Sequence, residues 1–362
     1  MKKSLIALAV ASTFAAPAFA ATSNVDIYGV VSVSVDRVTG WTNSTATQEN
    51  SAWRVNSNTS RIGFKGAEDL GGGMKALWQI EQGLNADSAA GAFGGGNQRN
   101  TFVGLGGGFG TMLMGAHDTP YKLGTGSLDP FADTMGDYNQ LIGSLGGANV
   151  ADLRLGNVLA YISPTWNGFH FAVAKSYQME TGNKAPAGRG DPTAYSGTAV
   201  YSNGPVFASL SFEKADNVLN TGLDLRDYKL GLGYTMGDTK FGFVWERIKA
   251  TTTTSSGHRN AWLINVAHNM GPITLKAEYG SAGDVSGTSN TGAKLFALGA
   301  DYNLSKRTTA YAVYSKVSND TAAAYNLGGA ASAGLGASGV GNVVPVAGKD
   351  PSGISIGLKH SF

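Results

Sequence analysis

Cysteine is absent from the 362 residues. That excludes a disulfide framework, a thiolate metal site and a cysteine nucleophile. Charge is scarce as well: Asp, Glu, Lys and Arg make up 14% of the chain, against roughly 25% in ordinary soluble domains. Beyond the N-terminal leader no segment holds about 18 consecutive apolar residues, so no transmembrane helix is predicted. The histidines (His117, His170, His258, His268, His360) are scattered without zinc-ligand spacing, and no metal or other cofactor is expected.

Glycine is abundant, at 52 residues, about twice its usual share of about 7%. Aromatics at 10% argue against a disordered low-complexity chain. Met1 to Ala20 runs from Lys2-Lys3 through an apolar stretch, Leu5 to Phe14, to Ala18-Phe19-Ala20. This charged, hydrophobic, small-residue order is that of a secretory signal peptide, with the mature chain (21–362) read as one unit. Removing Lys2 and Lys3 takes the formal charge from +2 to zero. Bulk charge therefore predicts no nucleic-acid partner.

The most legible stretch is Ser60 to Glu81, two strands about Asp69-Leu70-Gly71-Gly72-Gly73. Ile62 and Phe64 alternate with Arg61 and Lys65. After the turn, Met74, Ala76, Trp78 and Ile80 alternate with Lys75, Gln79 and Glu81. This period-2 pattern describes a sheet with one apolar and one wet face. It recurs from Val25 to the end, with one interruption. From His117 to Leu153 alternation lapses and Asp118, Asp129, Asp133, Asp137 and Asp152 gather. Loops this long are uncommon and usually functional.

Short turns at Asn167-Gly168, Asn203-Gly204, Gly237-Asp238, Gly271-Pro272 and Leu304-Ser305 alternate with longer polar loops. Those loops are expected near 180–191, 216–224, 251–257, 282–291 and 319–350. The count is about 16 strands, an even number with alternating connection lengths, the pattern of an outer-membrane barrel. A soluble sandwich has the same period with the apolar face buried, but export and connection lengths favour the membrane. Two motifs carry no chemistry. Gly353-Ile-Ser355-Ile-Gly357 matches a hydrolase elbow but lies in an alternating strand, and Gly104 to Gly110 lacks the Lys-Ser/Thr of a phosphate cradle.

Several segments resemble the Gram-negative general-diffusion porins. The most specific is Ser60-Arg61-x-Gly63-x-x-Gly66-x-Glu68-Asp69-Leu70-Gly71-Gly72-Gly73. Val25-Asp26-Ile27-Tyr28-Gly29 is similar to the family's opening strand. Arg99 with Val103-Gly104-Leu105, and Arg154-x-x-Asn157-Val158 with Tyr161-x-Ser163-Pro164, continue the likeness. Gly357 to Phe362 resembles its aromatic C-terminus.

The resemblance implies an all-β fold: a 16-stranded antiparallel transmembrane β-barrel with an inward-folded third external loop, here 117–153. It implies a homotrimer in the Gram-negative outer membrane, surrounded by lipid and lipopolysaccharide. Small hydrophilic solutes and ions would diffuse passively through it. Basic wall residues would face loop acids: Arg61, Arg99 and Arg154, with Lys65 and Lys75 as weaker candidates, against Asp118, Asp129, Asp133 and Asp137. His117 stands where many members have arginine, so it would be a titratable pore residue. Phe362 would be read by the barrel-assembly machinery. The alternatives are a solute-selective channel for anions such as phosphate, an outer-membrane hydrolase and an adhesin barrel. The scattered histidines argue against the hydrolase and the lack of an extra domain against the adhesin.

Overall fold

The computed structural model describes residues 24–41, 50–87, 93, 99–177, 192–218, 222–252, 255–328 and 346–362. The signal peptide expected over 1–20 lies outside them, as do the loop at 180–191 and parts of those near 40–50, 89–96, 216–224, 251–257 and 319–350.

Strands β1 (Asn24–Trp41), β2 (Asn50–Ser57), β3 (Arg61–Gly71), β4 (Met74–Gly83), β5 (Thr101–Gly107) and β6 (Gly110–Asp118) come first. Helix α1 (Pro120–Gly126), a 3-10 turn at Tyr138–Gln140 and a small ribbon of β7 (Ser144–Leu145) and β8 (Ala148–Asn149) follow. The sheet resumes with β9 (Arg154–Ile162), β10 (Phe169–Tyr177), β11 (Thr193–Asn203), β12 (Val206–Val218) and β13 (Leu223–Met236). It ends with β14 (Thr239–Thr251), β15 (Ser256–Met270), β16 (Ile273–Ala282), β17 (Ala293–Asn303), β18 (Thr308–Asn319) and β19 (Ser352–Ser361).

The main sheet holds 17 segments, all pairing antiparallel with neighbours. Both β2 and β3 pair with β1, β3 from Asn24 to Val30 and β2 from Val33 to Trp41. They are two halves of one strand interrupted at Asn58–Ser60, so the barrel has 16 strands. Pairing of β1 with β19, from Val30↔Ser361 to Thr39↔Ser352, closes it. Closure leaves no backbone edge unpaired, which is what hydrocarbon requires of a spanning sheet.

The organising hairpin folds as its pattern predicts. Gly71, Gly72 and Gly73 have φ of 79°, 61° and 80°, a left-handed run that only glycine adopts cheaply. Phe64, Met74 and Ile80 are exposed on the outer face. On the other face Gly63 lies under the Tyr28 ring; a Cβ there would meet the ring 2.3 Å away. The Tyr28 hydroxyl thereby reaches Glu81 Oε2 at 2.9 Å.

Two expectations about connections need correction. The interruption is 119–153 rather than 117–153, because His117 and Asp118 pair with Leu155 and Arg154 across the β6–β9 ladder. The loops expected at 216–224 and 251–257 are short. Strand β12 reaches Val218 and β13 begins at Leu223, while β14 reaches Thr251 and β15 begins at Ser256; Asn217, at φ 53°, donates its backbone N–H to Asp224. Asp216, Asn217, Asp224, Thr251 and Ser256 are strand residues, so connection lengths do not alternate strictly.

Packing around 119–153 was also unforeseen. Leu128, Phe131, Met135, Leu141 and Ile142 form one buried cluster with Val244, Leu263, Leu295, Val313 and Val317. Those strand residues alternate with exposed ones such as Ile264, Phe296 and Tyr314, so this part of the sheet is apolar on both faces. Tyr121 and Ala151 join a second cluster with Leu155, Leu225 and Ile248.

Candidate functional site

Segment 119–153 is built from local caps. The Thr119 side chain accepts from Lys122 N at 3.3 Å and Pro120 opens α1, both ordinary helix-start chemistry. Asp129 accepts backbone N–H groups from Phe131 at 2.7 Å and Tyr138 at 3.2 Å. Asp137 accepts from Asn139 at 2.9 Å and Asp133 at 3.1 Å. These two acids therefore hold the segment's own turns. Burial, followed by the neighbouring Asp137 carboxylate, holds Asp129 well above the usual carboxylate range. Asp137 is pushed up to about 6, chiefly by burial.

Buried polar contacts tie the segment to β13, β14 and β15. The Tyr121 hydroxyl donates to Glu246 Oε1 at 2.8 Å, and Gly143 N donates to Glu246 Oε2 at 2.8 Å. Burial and then Glu246 raise the Tyr121 phenol well above its ordinary value, so it stays a neutral donor. Glu246 also pairs with Arg259 at 3.1 Å, and Arg259 donates to the Ser144 carbonyl. Lys229 pairs with Asp152 and stands 4.1 Å from the Tyr121 ring centroid. Asn265 donates to the Leu128 carbonyl at 2.7 Å.

The expected basic cluster comes together in part. Arg61 opens β3, Arg99 precedes β5 and Arg154 opens β9, all at the same end of three alternate strands in the run β3-β4-β5-β6-β9. Each is paired with an acid. Arg61 meets Asp133 at 3.1 Å, Arg99 meets Glu81, and Arg154 meets Asp118 at 3.1 Å. Arg154 Nε also donates to Asn100 Oδ1 at 2.7 Å, and Lys122 joins Asp118 at 3.1 Å. Asp133 holds its place with φ 62°, a left-handed backbone that Asp tolerates better than most residues.

Lys65 stands 5.2 Å from the Tyr28 ring centroid, lower on β3. Lys75 does not belong with Arg61: it pairs in register with Asp69 at the glycine turn, the far end of the hairpin. His117 Nδ1 lies 2.8 Å from the Asp118 carbonyl, with its ring edge-on to Phe102. Phe362 exchanges backbone hydrogen bonds with Gly29 at 3.0 and 3.1 Å.

Sequence reading missed Glu81, Lys229, Glu246 and Arg259 as partners. Glu81 was visible, since it alternates with Lys75 and Gln79 on the wet face. The others are paired across too many residues for local pattern to reveal. A cavity of about 840 Å³ extends from Leu128–Pro130 to the turn residues Gly168 and Gly204, with Lys240, Lys276 and Asp301 on its wall. Among the described residues no group of three or more His, Asp or Glu is placed to hold a metal ion.

The family model described as Gram-negative porin matches residues 7–322. Outer membrane porin protein 32 of Delftia acidovorans is 29% identical over 374 residues, covering 100% of both chains. Major outer membrane protein P.IB of Neisseria meningitidis is 32% identical over 325 residues, 86% of this chain and 91% of that one. Among solved structures, an anion-selective porin from Comamonas acidovorans has a TM-score of 0.77 at 26% identity, over 94% of this chain and 100% of that chain. With a closed 16-stranded barrel and these relatives, the chain belongs to the Gram-negative porin family, non-enzymatic outer-membrane channels for passive diffusion.

Proposed function

We propose that residues 119–153 fold into the bore as the third external loop and form its narrowest part, a filter for small hydrophilic solutes and ions. The Arg61–Asp133 ion pair carries this reading, because it joins a strand of one wall to a segment anchored on Glu246 and Asn265 of other strands. The ring of Phe131, 5.0 Å from Lys276 Nζ, supports it on a further strand. Arg61, Arg99 and Arg154 line one side of the filter. Asp133 faces them from the loop, while Asp118 and Glu81 hold two of them in place.

One arginine can anchor a loop and bias ions at once, since a bidentate pair leaves donors free. Charges within about 8 Å are incompletely screened at physiological salt. Opposed charges there orient dipolar solutes and bias ions, and the arginines give a lean towards anions. The similarity to the anion-selective porin from Comamonas acidovorans supports that direction.

The channel works as a homotrimer, the state that the resemblance to the porin family implies. Lipid and lipopolysaccharide surround it, and the barrel-assembly machinery reads Phe362. His117 sits beside Asp118 at the arginine level.

The test is single-channel recording across a salt gradient. An anion-leaning reversal potential, with openings that close in thirds, is the expected result. Combining Arg61→Ala, Arg99→Ala and Arg154→Ala should move it towards cations while the protein stays assembled. An unchanged potential in assembled protein would sink the selectivity role. Deleting Phe362 should lower assembly yield in cells.

A further inference from the structure

The loop expected at 319–350 begins with a segment that leaves solvent at once. Strand β18 ends at Asn319, and Asp320, Thr321 and Ala322 are exposed. Ala323, Tyr325 and Leu327 are then fully buried. They belong to the same apolar cluster as Leu128, Phe131, Met135, Leu141 and Ile142 of the 119–153 segment. Their spacing of two is that of extended chain, with half-buried Ala324 between the first pair.

Polar contacts hold this extended chain at its root. The Asn319 Oδ1 accepts from Tyr325 N at 2.9 Å, and its Nδ2 donates to the Tyr325 carbonyl at 2.8 Å. One side-chain amide thus pairs with Tyr325 as a neighbouring strand would. The same Nδ2 donates to the Lys349 carbonyl at 2.6 Å, joining the outgoing chain to the returning one. Ala322 N donates to the Asn290 carbonyl at 2.8 Å, and Gly348 N to that of Ala323 at 2.9 Å.

Residues 323–328 meet the 119–153 segment at two places. At the β7–β8 ribbon the Tyr325 hydroxyl accepts from Gly146 N at 3.2 Å. Beside it Gly147 has φ 102°, and a Cβ there would fall 2.2 Å from the Ala324 carbonyl oxygen. At the other place Gly328 N donates to the Met135 carbonyl at 2.9 Å. A Cβ on Gly328 would fall 2.7 Å from the Asp137 Cβ and 2.8 Å from the Thr134 carbonyl oxygen. Two backbones approach here with no room for a side chain. This second contact borders Asp133, whose N–H donates to Asp137 and whose carboxylate meets Arg61.

We propose that residues 320–328 are a strap that holds the 119–153 loop in place, with Tyr325 and Leu327 as positioning residues for the filter. The inference rests on the reading of 119–153 as the filter and adds a second loop to it. Glu246 and Asn265 hold that loop from β14 and β15, and the strap adds a hold from β18. Contacts made in one arrangement of the loop favour that arrangement over every other by their own free energy. Loosening the strap therefore lets the loop leave its place, and a loop that wanders across the bore interrupts the current.

Single-channel recording of Tyr325→Phe and Leu327→Ala tests this. The ratio of closed to open time should rise about two- to tenfold in Tyr325→Phe, which loses one hydrogen bond. It should rise further in Leu327→Ala, which leaves a cavity beneath the loop. Closed-to-open ratios equal to the parent's in assembled variants overturn the proposal. A segment that only filled the apolar cluster would lower the thermal midpoint and leave that ratio unchanged. Should the variants fail to assemble, hydrogen exchange of the unaltered protein decides. Residues 323–328 and 135–147 should exchange together as one cooperative unit; fast exchange in 323–328 beside slow exchange in 135–147 overturns the strap. The combined Arg61→Ala, Arg99→Ala and Arg154→Ala variant reports on the filter separately. A shifted reversal potential there, with unchanged ratios in the strap variants, removes the strap and keeps the filter.

Discussion

The Tyr121 hydroxyl donates to Glu246 across 125 residues of chain, and both groups are fully buried. Glu246 accepts from Gly143 and pairs with Arg259 as well, so one carboxylate fastens two parts of the 119–153 segment. Replacing Tyr121 by Phe should cost about 1–3 kcal/mol, because a buried acceptor loses a donor. Glu246→Ala should cost more, about 3–5 kcal/mol, since Arg259 is left buried without its partner. The temperature at which the folded band converts to the unfolded one on gels measures both. Equal temperatures for the two variants and the parent would contradict the fastening role.

Asp137 gives a pH dependence of known sign. Its folded value, about 6, lies above the ordinary 3.8. The folded state therefore binds this proton more tightly than the unfolded state does. Its contribution to stability is fully present below about pH 3.8 and is lost as pH rises through about 6. Thermal midpoints should fall between those pH values. In Asp137→Asn the fall should be smaller, and an unchanged pH profile in the variant would count against it.

Opposite signs are expected at the Arg61–Asp133 pair. Asp133→Asn removes the loop charge and leaves Arg61 free to attract anions, moving the reversal potential towards anions. Arg61→Ala should move it towards cations. Shifts in the same direction would mean that the pair acts only by placing the loop.

Gly29 is the site for testing closure. A Cβ there would fall 2.4 Å from the Phe362 ring and 2.7 Å from the Arg61 carbonyl oxygen. Gly29→Ala should therefore strain the β1 seam by about 1–3 kcal/mol. The yield of heat-modifiable protein should drop. A normal yield would show that the seam can relax.

How much of this could be read in the sequence depended on distance along the chain. The Gly71–Gly73 turn and the alternation about it are local, and both were legible. So was the lapse in alternation after β6, because nothing in 119–153 keeps a strand period. The apolar inner face of β14 to β18 was not legible. Val244, Leu263, Leu295 and Val313 are buried by a segment about 100 residues or more away in sequence, and a two-sided apolar strand gives no clue to what covers it. Lys75 shows the converse error. It shares parity with Arg61, but parity gives the face and not the height, and register places it at the other end of the hairpin.

Pairing of β1 with β19 has a consequence for the order of events in folding. Strand β1 must wait for β19: this one seam spans more than 300 residues of chain, whereas nearly all the other ladders join strands consecutive in sequence. Until β19 arrives, the long β1 offers an unsatisfied edge that any other strand could occupy. The chain therefore needs to be kept apart from its neighbours for the whole interval between the first strand and the last. Its hazard in the cell is one of timing, set by the seam and independent of what passes through the bore.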